Sequence, residues 1–221
     1  MVYTELLIKG TTETIIMVIA SLSIGYIIGL PLGVFLEITK PGGLIEKPLL
    51  NKILGWVVNI GRSIPFIILM MLLIPFTRTL VGTSIGISGS IVPLSVSAIP
   101  FIARIVENTL EDVDQPTIRS IHAMGASPLQ TIKHGYLSEA LPSLLRGMPI
   151  VAIALVGYSA MAGATGGGGL GDIAIRYGYY NYNTEVMLMT LVILIIIVES
   201  FQHGFHWLGD VIDKKRRSVK S

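Results

Sequence analysis

Glu199, His203 and His206 stand at i, i+4 and i+7. On a helix this spacing puts a carboxylate and two imidazoles on one face, where they could hold a metal ion. Their setting argues for a plainer role. His203 and His206 lie beside Trp207 at the end of a long apolar run, where a membrane meets water and polar tips are expected. Glu199 lies deeper, and a carboxylate inside a span is a functional candidate by default. A proton relay would need more such groups than the apolar runs supply, and no metal is expected. A second candidate is the glycine run at residues 166–171, GGGGLG. Phosphate-cradling loops of the form G-x-x-x-x-G-K-[ST] need a lysine and a hydroxyl after the glycines. Neither follows here, and no Gly-Lys pair occurs anywhere in the chain. The run is read as a flexible turn. The absence of cysteine excludes thiolate metal sites, disulfides and a cysteine nucleophile. No Ser-His-Asp, paired-carboxylate or metalloprotease signature stands out. The chain is expected not to be an enzyme and to hold no cofactor of its own.

The elements that carry these residues are built for lipid. Of 221 residues, 52% are hydrophobic and 14% charged, with a mean hydropathy of +0.72, which does not suit a water-facing surface. A formal net charge of +2 gives no reason to expect nucleic acid. A helix needs about 20 apolar residues to cross a bilayer. Five stretches qualify: residues 11–36, 53–76, 85–103, 143–162 and 186–207. The expected fold is an all-α integral membrane protein, five transmembrane helices in a single domain over residues 1–221. Gly86, Gly89, Pro93 and Pro100 interrupt the third stretch, and Pro31, Pro65, Pro75 and Pro149 fall within others. Membrane helices tolerate prolines when neighbours satisfy the freed carbonyls. Lys9 precedes an apolar run with no small-residue cleavage site, so no cleavable signal is expected.

Lysine and arginine set the orientation. Lys40, Lys47 and Lys52 follow the first stretch, and Arg104, Arg119, Lys133 and Arg146 follow the third. Lys214, Lys215, Arg216, Arg217 and Lys220 form the tail. Only Lys9, Arg78 and Arg176 fall on the opposite side. The N-terminus is expected outside and the C-terminus inside, with residues 214–217 anchoring near anionic lipid. Arg62, near a membrane boundary, is read as snorkelling or bonding a carbonyl. Asp172, Arg176, Tyr177, Tyr179, Tyr180 and Tyr182 fall outside, as lipid anchors or as contacts for a delivering protein.

One polar stretch, about residues 107–141, lies inside the chain and on the cytoplasmic side. It reads as two short helices around a turn. Pro116 suits a first helical turn, Ile118 and Ile121 share a face, and Gly125 suits a left-handed helix end. Ser127, Pro128 and Gln130 make a capping box for a second helix, with Gly135 its candidate stop and Ser138 a cap for the next span. Lipid-lying helices carry a basic face and a broad apolar face. This segment has neither, and it reads as a knob that fits a groove in another protein.

The segment resembles the cytoplasmic "EAA" loop of ABC-importer permeases: Gly125 matches its central glycine and Leu137 its later leucine. Arg119, Ser120, Ile121, Gly135 and Ser138 depart from the pattern. The blocks NIGRSIPFIILMMLLIPFTR (residues 59–78), VGTSIG (81–86), IVPLSVSAIPFIARIVEN (91–108) and LVGYSAMAGATGGGGLGDIAIRYGY (155–179) resemble the methionine-uptake permeases of the MetI-like family. That resemblance implies a homodimer in the bacterial cytoplasmic membrane. It implies two ATP-binding subunits below, which carry the ATP and Mg, and an extracytoplasmic methionine-binding lipoprotein above. Arg119, Ser120, His122, Ala123, Met124, Gly125, Ala126, Gln130 and Lys133 are the candidate contacts for the ATPase. In GYSAMAGATG (157–166), Met161 is the one long apolar side chain among small residues. It is the candidate gate, with Tyr158 and Ser159 as further lining. Two other readings compete: a permease for another amino acid or small peptide, and a secondary transporter or channel independent of ATP.

Overall fold

The structure, a computed structural model, describes residues 2–220; the side chains of Val2, His122 and residues 214–220 lie outside that description. The regular structure is helical throughout, with no strand among the described residues. Four helices are long and apolar enough to cross a membrane, or five if one bent pair counts as a span.

α1 (Val2–Thr39) has 38 residues, about 57 Å at 1.5 Å per residue. It starts well before the expected span. Past its first turns, the Thr11 and Thr12 hydroxyls donate to the carbonyls of Leu7 and Ile8, at 2.7 and 3.0 Å, which satisfies them inside the helix. α1 lies along α5 (Gly86–Glu111), and Gly25, Gly29 and Gly33 line the seam. A Cβ on Gly29 would stand 2.8 Å from the Ile99 carbonyl oxygen, and one on Gly33 2.5 Å from that of Ala103. Small residues at this spacing let membrane helices approach backbone to backbone. Ala98, Ile102 and Val106 of α5 fill the other side of the seam and belong to the main buried core.

The expected span at residues 53–76, with Pro65 and Pro75 inside it, is a bent pair of helices rather than one continuous helix. α2 (Pro48–Ser63) stops, Ile64 is extended (φ −78°, ψ 122°), and α3 (Phe66–Leu72) leaves at 102°. Pro65 is the cause: it drives the preceding residue out of the helical region and supplies no N–H of its own. α4 (Ile74–Val81) then starts with Pro75 in its first turn. α5 continues past residue 103 to Glu111, carrying Pro93 and Pro100 inside.

α6 (Gln115–Ala123) follows after a short link. α7 (Pro128–Gln130), a π-helical stretch (Thr131–Leu137) and α8 (Ser138–Gly163) form one continuous helix. Gly135 is therefore no stop and Ser138 no cap. A Cβ on Gly135 would lie 2.8 Å from Ile118 Cδ1 and 3.3 Å from Ile121 Cδ1, so this glycine is the notch that receives α6. After α9 (Gly169–Ile173) and a second π-helical stretch (Ala174–Tyr179), α10 (Thr184–Lys220) packs against α8.

The glycine run is pinned rather than flexible. Glu13 Oε2 accepts from the Gly169 N–H at 2.8 Å, and Thr14 Oγ1 accepts from that of Leu170 at 2.9 Å. The Gly86 N–H donates to the Gly166 carbonyl at 2.9 Å, and a Cβ on Gly171 would stand 2.5 Å from the Ala160 carbonyl oxygen.

Candidate functional site

The polar segment folds as an outward knob. Asp114 starts α6 by accepting from the Thr117 N–H and hydroxyl, at 3.1 and 2.6 Å; Pro116 occupies the first turn. Ile118 is buried and carries the inward face. Gly125 turns the chain at φ +87° with open space around it. The capping box forms: Ser127 Oγ accepts from the Gln130 N–H at 3.3 Å, and Gln130 Oε1 accepts from the Ser127 N–H at 2.8 Å. Arg119, Ser120, Ala123, Met124, Gly125, Gln130 and Lys133 are exposed and Ala126 is half-buried. Two of these side chains are partly spent inside the knob, Gln130 in its cap and Ser120 on the Pro116 carbonyl at 2.9 Å. The side chain of His122 lies outside the described residues. At the tip, Met124 is 79% exposed and Leu129 75%. Leu129 is the apolar contact that the sequence reading missed, hidden between proline and glutamine.

The knob is mechanically joined to the spans. Three residues separate it from α5, and none from α8. Where it hangs, α5 is clamped on two sides. Lys40 Nζ lies 2.9 Å from Glu37 Oε2 and 3.1 Å from Glu111 Oε1, tying α1 to α5. Arg104 holds Glu107 at 2.6 Å and Asn59 of α2 at 2.7 Å. Glu37 is fully buried, and the Lys40 ammonium sits in ion-pair range but out of line for a hydrogen bond. Burial works against the charge of Lys40, but the Glu37 and Glu111 carboxylates outweigh it and hold its pKa above the ordinary lysine value.

The gate candidates separate. Met161 is 49% exposed near the end of α8. Tyr158, one turn earlier, stacks on Phe66 of α3 with ring centroids 4.6 Å apart and planes 4° apart. Ser159 points inward: it is buried, and its hydroxyl donates to the Val156 carbonyl at 2.8 Å. It therefore lines no open face of the subunit. Asp172 and Arg176 pair with each other at 2.7 Å, while Tyr177, Tyr179, Tyr180 and Tyr182 are exposed. His203 Nδ1 faces its own helix at Glu199, His206 Nδ1 approaches the Gln202 carbonyl, and no three His, Asp or Glu side chains converge among the described residues. The basic tail at residues 214–217 has no described side chains.

Residues 29–218 match the family described as the binding-protein-dependent transport system inner membrane component. The chain belongs to this family. It is a multi-pass transport permease of the bacterial cytoplasmic membrane, and the resemblance carried by residues 59–78, 81–86, 91–108 and 155–179 holds. Similar relatives include the probable D-methionine transport system permease protein MetI of Vibrio cholerae serotype O1, 50% identical over 175 residues, which span 79% of this chain and 78% of the relative. The D-methionine transport system permease protein MetI of Escherichia coli strain K12 is 51% identical over 158 residues, 72% of this chain and 73% of that one. A chain from the inward-facing MetNI methionine ABC transporter superposes with a TM-score of 0.93 at 48% identity, covering 95% of this chain and 97% of that chain. An amino acid ABC transporter shares the fold alone, with a TM-score of 0.76 at 17% identity over 94% of both chains.

Proposed function

We propose that this chain is the permease subunit of an ATP-driven methionine importer, and that its knob is the part gripped by a separate ATPase. The relatives named above are methionine permeases, and the MetNI transporter that shares the fold is a methionine ABC transporter. The chain has no nucleotide-binding motif of its own, so Mg and ATP belong on the partner. Two copies of the ATP-binding subunit then bind from the cytoplasm, where the charge asymmetry places the knob and the C-terminus. A methionine-binding lipoprotein delivers from outside, over the face with Tyr177, Tyr179, Tyr180 and Tyr182. One subunit leaves little room for an amino acid between helices packed 8–10 Å apart. A homodimer opens a path between its copies, with Met161 and its symmetry mate closing it.

The observation that carries this reading is the exposed tip at Met124, Gly125 and Leu129, of which Leu129 lies on the helix continuous with α8. A cleft that closes on the tip tilts α8, and Met161 moves with it. Arg119 and Lys133 would meet the rim. The test is Gly125→Trp in proteoliposomes with the ATP-binding subunits. Its backbone conformation is strained for any side chain, and the indole would block the cleft. ATP hydrolysis should persist while methionine uptake falls away. Normal uptake by Gly125→Trp, or uptake driven by an ion gradient without ATP, would overturn the reading.

A further inference from the structure

Arg62 is a charge in search of a partner. Of the two roles its sequence position suggests, snorkelling or bonding a carbonyl, the second is absent: it bonds no carbonyl, and unlike Arg104, Arg146 and Arg176 its exposed side chain holds no carboxylate among the described residues. It sits in the last turn of α2, at the 102° break of the bent span. Its guanidinium carbon lies 5.9 Å from the ring centroid of Phe101, close enough for the ring face to orient the cation without neutralising it. Below it opens a cleft of about 120 Å³ walled by Phe66, Ser97, Phe101 and Tyr158. That is the space of about four waters, or of the charged end of an amino acid.

Depth and chemistry agree. Ser97 lies 11 residues from the start of α5 and 14 from its end, so the cleft is near the middle of that span. Tyr158 is one turn before Met161 on α8, and residues at this spacing share a face. The Ser97 hydroxyl donates to the Leu94 carbonyl at 2.8 Å, which leaves its oxygen only as an acceptor. A cation and a hydroxyl acceptor side by side match a carboxylate and an ammonium. The stacked Phe66 and Tyr158 rings offer an apolar surface to a side chain.

We infer that this cleft is a transit subsite for a zwitterionic amino acid, on the cytoplasmic side of the gate, with Arg62 binding the carboxylate and Ser97 the ammonium. The inference rests on the importer reading and deepens it: the path itself, and not only the delivering protein, recognises the charged end of the cargo. Broken spans place ligand groups at this depth in other transporters.

The chain has no cysteine, so Ser97→Cys gives it a single thiol at the site. In proteoliposomes of the whole complex, L-methionine should slow maleimide labelling of that thiol, and L-methioninol, which keeps the amine and lacks the carboxylate, should not. Adding Arg62→Gln should raise the methionine concentration for half-protection by ~10–100-fold, the worth of a charge-assisted hydrogen bond. Arg62→Lys should fall between, which separates lost charge from lost fold. Equal protection by both compounds, or protection unchanged in Arg62→Gln, overturns the subsite. Methionine uptake by vesicles holding the complex with the unsubstituted chain reads the importer function independently: uptake there without protection in Ser97→Cys removes the subsite alone, and protection without uptake by the unsubstituted chain removes the importer reading alone.

Discussion

Replacing Gly33 with alanine tests the seam that positions everything else. A Cβ there would stand 2.5 Å from the Ala103 carbonyl oxygen and 2.6 Å from Val106 Cβ, about 0.9 Å short of the 3.4 Å at which ordinary contact begins. Neither atom is the end of a flexible side chain, so α1 and α5 must separate. A gap of 0.5–1 Å forfeits a quarter to a half of each contact's attraction, along a seam that also includes Gly25 and Gly29. Overpacking of this kind costs ~1–3 kcal/mol, and alanine's better helix propensity returns somewhat under ~1 kcal/mol. A net loss of ~1 kcal/mol lowers the melting temperature by ~2–4 °C in a chain of this length. Thermal unfolding of the purified complex, followed by tryptophan fluorescence, measures it. Gly204→Ala, where an added Cβ meets nothing within 4 Å, should melt no lower than the parent. Gly25→Ala should fall between, because its contacts are wider than those of Gly33, the end of the Ile102 side chain at 2.8 Å and the Ala98 Cβ at 2.9 Å, and the first of these can move. If Gly33→Ala melts with the parent, the seam is not close-packed and the reasoning fails.

Three further outcomes follow from the same contacts. Glu13→Ala should orphan the Gly169 N–H at a cost of ~1–3 kcal/mol, and hydrogen exchange over residues 169–173 should quicken; unchanged exchange would mean that the glycine run holds itself. Lys40→Met leaves Glu37 buried without its cation, a loss of ~3–5 kcal/mol, and Glu37→Gln in the same chain should recover most of it. Equal melting of single and double variants would remove the clamp from the account. Because the folded pKa of Lys40 is raised, its contribution is fully present below the ordinary lysine value of ~10.4 and fades only as pH rises through the higher folded value. Its side of the clamp should therefore not weaken as pH rises from about 7 to 9. Met161→Gly should let small solutes leak through ATP-free proteoliposomes of the complex, and a sealed membrane would speak against a gate at Met161.

The sequence by itself settled what is local and periodic. Apolar runs of sufficient length must be helices in lipid, because backbone polar groups there can bond only within their own segment. The capping box at Ser127 and Gln130 and the turn at Gly125 need only neighbouring residues, so they were legible. The missing lysine after the glycines was legible, without any fold, as a departure from the phosphate-binding pattern. What the tertiary structure decided are contacts between residues far apart in the chain. Pro65 could have been a tolerated kink; the structure makes it a 102° break. Gly135 looked like a helix stop until Ile118 and Ile121 needed its empty side. The glycines at 166–171 looked loose until Glu13 and Thr14 arrived from 156 residues away. Glycine's lack of a side chain permits either freedom or the closest packing, and only the neighbour that fills the space determines which.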